Sequence, residues 1–87
     1  VAKFDFTNKE IEEIHKIVGK NVKKYRVLRG LTQLDLSYEM GNKSVSLVSA
    51  CEPCSNGKHF NIEHLYKISK ILDVPIGNFF EIEEEIV

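Results

Sequence analysis

Every long apolar run in the 87-residue chain has helical spacing, and each is closed by its own stop signal. Thr7-Asn8-Lys9-Glu10 reads as a capping box, in which a hydroxyl and a carboxylate each accept the other residue's backbone N–H. Phe6 and Ile11 stand at the flanking staple positions. Ile11, Ile14, Val18, Val22 and Tyr25 then recur every three or four residues, one stripe of a helix that can run to Arg29. Gly19 within it costs up to about 1 kcal/mol and marks a candidate break. Gly30 is the expected terminator.

Thr32 caps a second, short helix, with Asp35 in its first turn, Leu36 and Met40 on one face and Gly41 at its end. Asn42-Lys43-Ser44 is turn-like, Val45–Glu52 is a third helical stretch, and Pro53–Lys58 is a loop by composition. Asn61 opens a fourth helix with Ile62, Leu65, Ile68 and Leu72 at helical spacing. Pro75 ends or restarts the pattern, and Ile76, Phe79 and Phe80 anchor a final short turn or helix. Alternation suggestive of a strand occurs only at Phe80-Glu81-Ile82-Glu83. The expected fold is therefore all-α, a compact bundle of four to five short helices. Residues 1–87 are expected to form one domain, with 1–13 extending the first helix and 81–87 an acidic tail.

A hydrophobic content of 43% with 29% charged residues argues against disorder along the whole chain. No apolar run approaches the roughly 20 residues that span a bilayer. The first ten residues carry no export signal, so an intracellular protein without membrane contact is expected. The formal net charge of −1 conceals an asymmetry. Residues 14–33 hold Lys16, Lys20, Lys23, Lys24, Arg26 and Arg29 without one acid, whereas Glu81, Glu83, Glu84 and Glu85 crowd the tail. A basic block of this kind is what a phosphate backbone meets, although solvated helix faces are often as rich in lysine.

The segment R-x-x-x-G-L-T-Q-x-x-L-S, Arg26 to Ser37, resembles the signature of Cro/repressor-type helix-turn-helix domains, the xenobiotic-response-element-like family. V-S-x-x-E, Val48 to Glu52, is similar to the end of that family's recognition helix. H-L-x-K-I-S-x-I-L-D-V, His64 to Val74, is similar to its fourth helix. The likeness covers residues 17–80. It implies a lambda-repressor-like fold and sequence-specific binding of double-stranded DNA by a cytoplasmic transcriptional repressor or regulator of bacterial, archaeal or phage origin. The third helix would lie in the major groove, and relatives commonly bind as homodimers. From Leu36 to Glu52 the chain is one residue longer than the family's common spacing, so the turn is expected to extend around Asn42–Ser44. The loop after Glu52 is longer too.

On this resemblance the DNA-binding residues are Gln33, Asn42, Lys43, Ser44, Ser46 and Ser49, with Lys23 and Lys24 drawn to phosphates and Lys20 adding to the attraction. Gln33 is open between phosphate contact and an exposed helix position. Ser44 is open between contact and cap, and Ser49 between contact and the interface with the second helix. Ser37 is the small residue that lets the second and third helices approach. Arg26 and Glu52 suit a two-bonded ion pair tying the first helix to the third.

Cys51-x2-Cys54-x4-His59-x4-His64 is close to a zinc-knuckle spacing. The family places a buried apolar residue where Cys51 stands, and a free cysteine serves there as a small hydrophobe. We therefore expect no metal, with a zinc or redox sensor as the sharper alternative. His15, among lysines, reads as solvated. No catalytic constellation emerges, so no enzyme activity and no cofactor are expected. The alternative function is an antitoxin-like protein-interaction module. Homodimer contacts are expected among Ile76, Phe79, Phe80, Ile82 and Ile86, with Phe4 and Phe6. Phe79 and Phe80 are equally placed to close the core of a single copy.

Overall fold

The computed structural model describes residues 3–82. The tail acids Glu83, Glu84 and Glu85 and the expected interface residue Ile86 lie outside the described residues. Four α-helices follow in order: α1 (Asn8–Leu28), α2 (Gln33–Glu39), α3 (Ser46–Cys51) and α4 (Ile62–Leu72). Short 3₁₀ turns occupy Ser55–Gly57 and Ile76–Phe80. No strand occurs among the described residues; the alternating stretch from Phe80 forms none, and Phe80 belongs to the last 3₁₀ turn. None of these helices is long and apolar enough to cross a membrane.

Local chemistry sets the boundaries. Thr7 and Glu10 form the full capping box, with Thr7 Oγ1 accepting the Glu10 N–H at 3.1 Å and Glu10 Oε2 accepting the Thr7 N–H at 3.0 Å. Thr32 and Asp35 repeat it on α2, and Asn61 and His64 on α4, where the His64 ring nitrogen takes the place of a carboxylate. At the other end, Gly30 and Gly41 take φ of +74° and +88°. In each case the glycine N–H and the next residue's N–H reach back to the last turn: Gly30 to Val27 and Leu31 to Arg26, Gly41 to Tyr38 and Asn42 to Ser37. These are Schellman closures, which need a residue tolerant of positive φ.

The candidate break at Gly19 does not occur. α1 runs through it without interruption, and the glycine serves close packing instead. A Cβ built there would fall on the carbonyl oxygens of Glu52 and Cys51, so α3 ends directly against the α1 backbone.

The core draws on every helix. Val22, Leu36, Val48, Ile68, Leu72 and Phe79 are fully buried, with Val18, Met40, Cys51, Phe60 and Leu65 around them. Phe79 thus closes the core of the single copy and leaves the set of interface candidates, whereas Phe80 stays 43% exposed. Ile62 was expected in the apolar stripe of α4 but is 74% exposed, because it precedes the turn that meets the core. Phe6 and Ile11, expected as a staple, both remain exposed, and the Phe6 ring stacks on Phe4 at 6.5 Å. The C-terminal segment is tied to α1 by Asn21, whose buried Nδ2 donates to the carbonyls of Phe79 (2.9 Å) and Glu81 (2.8 Å). Tyr25 packs edge-on against Phe79, and its hydroxyl donates to the Glu81 carboxylate.

Candidate nucleic-acid interface

Three helices meet at Glu52, the residue that caps the end of α3: α3 itself, α1 through Arg26 and α2 through Gln33. Arg26 Nε donates to Glu52 Oε2 at 2.7 Å and Arg26 Nη2 to Oε1 at 3.0 Å, the two-bonded geometry expected from the residue types. Both side chains are buried. Arg26 Nη1 also donates to the Leu31 carbonyl at 2.8 Å, which braces the turn between α1 and α2. Gln33 Nε2 donates to Glu52 Oε1 at 3.0 Å. Gln33 is thereby half-buried and partly engaged within the protein, a competing use of a side chain expected at a phosphate.

Ser37 is fully buried, and its hydroxyl donates to the Gln33 carbonyl at 2.9 Å, so a small side chain stands where α2 and α3 pack. The six-residue connection from Met40 to Val45 then delivers an exposed polar edge. Lys43, Ser44 and Ser46 are exposed together at the start of α3. Ser44 is not the helix cap: Val45 holds that position, without a side-chain bond. The Ser44 hydroxyl instead accepts the Ser46 N–H at 3.3 Å and donates to Ser46 Oγ at 3.0 Å. Ser49 is half-buried, and its hydroxyl donates to the Ser46 carbonyl. Asn42 is also half-buried, and its side-chain nitrogen is enclosed without a hydrogen-bond partner.

The basic block divides by role. Arg26 is locked to Glu52. Arg29 donates to the carbonyls of Leu72 (2.6 Å) and Asp73 (3.1 Å), closing the end of α4, where Asp73 adopts φ of +53°. A cation at a helix C-terminus also meets the negative end of its dipole. Lys16, Lys20, Lys23 and Lys24 remain on the exposed surface of α1, with the Lys24 ammonium 5.2 Å above the Tyr25 ring.

The Cys/His spacing produces a different arrangement from a metal knuckle. Cys51 and Cys54 are free and buried, and burial is the main force pushing both thiols up from their ordinary pKa. His64 Nδ1 accepts the Asn61 N–H at 3.1 Å. His59 lies face to face on His15, with ring centroids 3.6 Å apart and planes 14° from parallel. Among the described residues, no three of His, Cys, Asp and Glu are gathered to hold an ion. His15 is therefore not simply solvated: desolvation first, then His59, holds its imidazole below the ordinary range. Neither the His15–His59 stack nor the roles of Asn21 and Arg29 has a sequence signature, since each joins residues more than 40 positions apart.

No protein-family description and no curated protein sequence matches the chain.

Proposed function

We propose that the chain is a sequence-specific binder of double-stranded DNA, a transcriptional repressor or regulator in which α2 and α3 act as a helix-turn-helix. The observation that carries this reading is the exposed polar edge of Lys43, Ser44 and Ser46 at the start of α3, the helix whose other end is tied to α1 and α2 through Arg26, Glu52 and Gln33. Short hydroxyls and one lysine on a helix start can meet base edges in the major groove without steric obstruction. In this reading α3 enters the groove and α2 crosses the backbone, while Lys23, Lys24 and Lys43 approach phosphates. Asn42 and Ser49 sit deeper and reach DNA only at close approach. Gln33 contributes its remaining amide hydrogen or its carbonyl while keeping its bond to Glu52.

Recognition of two half-sites about 34 Å apart calls for a symmetric dimer. Exposed Phe4, Phe6, Ile76, Phe80 and Ile82 supply apolar surface for it. The same surface suits the alternative, a protein-interaction module without DNA affinity. In vitro selection of randomised duplex DNA by the purified chain at low salt separates the two. DNA binding predicts an enriched motif, with Ser46→Ala reducing discrimination against random sequence more than it reduces total binding. Absence of enrichment, together with absence of a retarded complex at low salt, favours the interaction module.

A further inference from the structure

Lys16, Lys20 and Lys23 follow one another at intervals of four and three residues and so share one face of α1. With Gln33, Glu52 and Pro53 they line an open concavity of about 400 Å³ where α1 meets the start of α2 and the end of α3. The one acid in its wall is already compensated, since both Glu52 oxygens accept hydrogen bonds from Arg26. Lys16 reaches Glu12 at 3.5 Å in a half-exposed pair of the kind that contributes little. Lys20 and Lys23 have no ion-pair partner among the described residues. The concavity is therefore a cationic surface in want of negative charge.

Resting on the DNA-binding reading above, we propose that this concavity seats the phosphodiester backbone of duplex flanking the segment read by α3. The backbone track would then climb α1 from Lys23 through Lys20 to Lys16. Seven residues of helix span about 10 Å. Over that length one strand presents about two phosphates, because successive phosphates lie farther apart along the backbone than the axial rise per base pair. A row of flexible ammonium groups around an open hollow suits a row of charges better than one enclosed anion. Lysines act here as point charges, so the contact is independent of base sequence.

The test leaves Lys23 in place and compares Lys16→Gln/Lys20→Gln with Lys67→Gln/Lys70→Gln, an equal charge change on α4. Lysine and glutamine have similar helix propensity, so both variants keep the fold. Binding to the selected duplex, with long and with trimmed flanks, is measured by fluorescence anisotropy across a salt series. The α1 variant is expected to lower the slope of log affinity against log salt by about 2 and to bind the long duplex roughly 10–60-fold more weakly at 0.1 M salt. Trimming the flanks should erase most of its difference from the unaltered chain. An unchanged slope for the α1 variant overturns the seat while leaving DNA binding intact. Equal losses for the α4 variant overturn it as well, because they reduce the effect to bulk charge. If the unaltered chain binds no duplex at all, the DNA-binding reading fails and the seat fails with it.

Discussion

Gly19→Ala sets two opposed effects against each other at one position. Alanine is favoured over glycine inside a helix by about 1 kcal/mol, so on helix propensity alone the variant should be more stable. The tertiary structure reverses the sign. The added Cβ would fall 2.2 Å from the Glu52 carbonyl oxygen and 2.7 Å from that of Cys51. Relief to an ordinary contact near 3.5 Å requires α1 and the end of α3 to part by more than about 1 Å. Both obstructing atoms are backbone, so no side chain can swing aside. The separation also pulls Glu52 away from Arg26, whose bonds to it measure 2.7 and 3.0 Å. Overpacking typically costs about 1–3 kcal/mol, and strain on a buried ion pair adds to that. A net loss of about 2 kcal/mol follows, which lowers the melting temperature of a domain this size by roughly 10 °C. Urea and thermal unfolding followed by far-ultraviolet circular dichroism measure it, with Gly77→Ala as the control, where an added Cβ meets nothing within 4 Å. If Gly19→Ala equals or exceeds the unaltered chain in stability, the close approach of α3 to α1 is wrong.

Arg26→Met should cost about 3–5 kcal/mol by leaving the Glu52 carboxylate buried with only Gln33, and adding Glu52→Leu should recover much of the loss; chemical denaturation of both variants checks it, and a loss below about 1 kcal/mol for Arg26→Met refutes it. His15, depressed by desolvation and by His59, and His64, depressed mainly by desolvation, bind protons more weakly folded than unfolded. Stability should therefore be complete above the ordinary imidazole value of 6.5 and fall as the pH drops through it toward the depressed values. NMR titration of the ring protons reports this directly, and His59→Asn should raise the His15 pKa; a His15 midpoint at or above the ordinary value contradicts the stack. Cys51 and Cys54, buried and with raised pKa, should resist Ellman's reagent at neutral pH and react fully on unfolding; rapid reaction of both in the native state would show the α3–α4 loop to be open.

Much of the helical framework is legible in the order of residues because caps and stops are short-range chemistry. Thr7 with Glu10, Thr32 with Asp35, and the glycines at 30 and 41 find their partners within three to five residues, so no distant contact is needed to recognise them. The Arg26–Glu52 pair is also legible, through complementary shape and charge between two motif segments. Apolar spacing shows which residues can face a core but not which of them meet one. Ile11 and Ile62 satisfy the helical period yet stay exposed, because they lie on turns near the helix ends that project past the packed region.

Within the candidate interface, the sequence indicates which residues are polar and near the start of α3. It does not indicate that Gln33 turns inward to Glu52, or that Asn42 and Ser49 are half withdrawn while Lys43, Ser44 and Ser46 stand clear. The residue types of the chain by themselves determine where α1, α2 and α4 begin, where α1 and α2 end, and that its cations are concentrated on the first of them. Only the tertiary structure decides that Gly19 is a contact point rather than a break, that Arg29 closes the end of α4, and that His15 lies on His59. The reason is range: a cap is settled by a hydrogen bond within one turn, whereas each of these roles depends on an atom brought from 30 to 45 residues away by packing of the core.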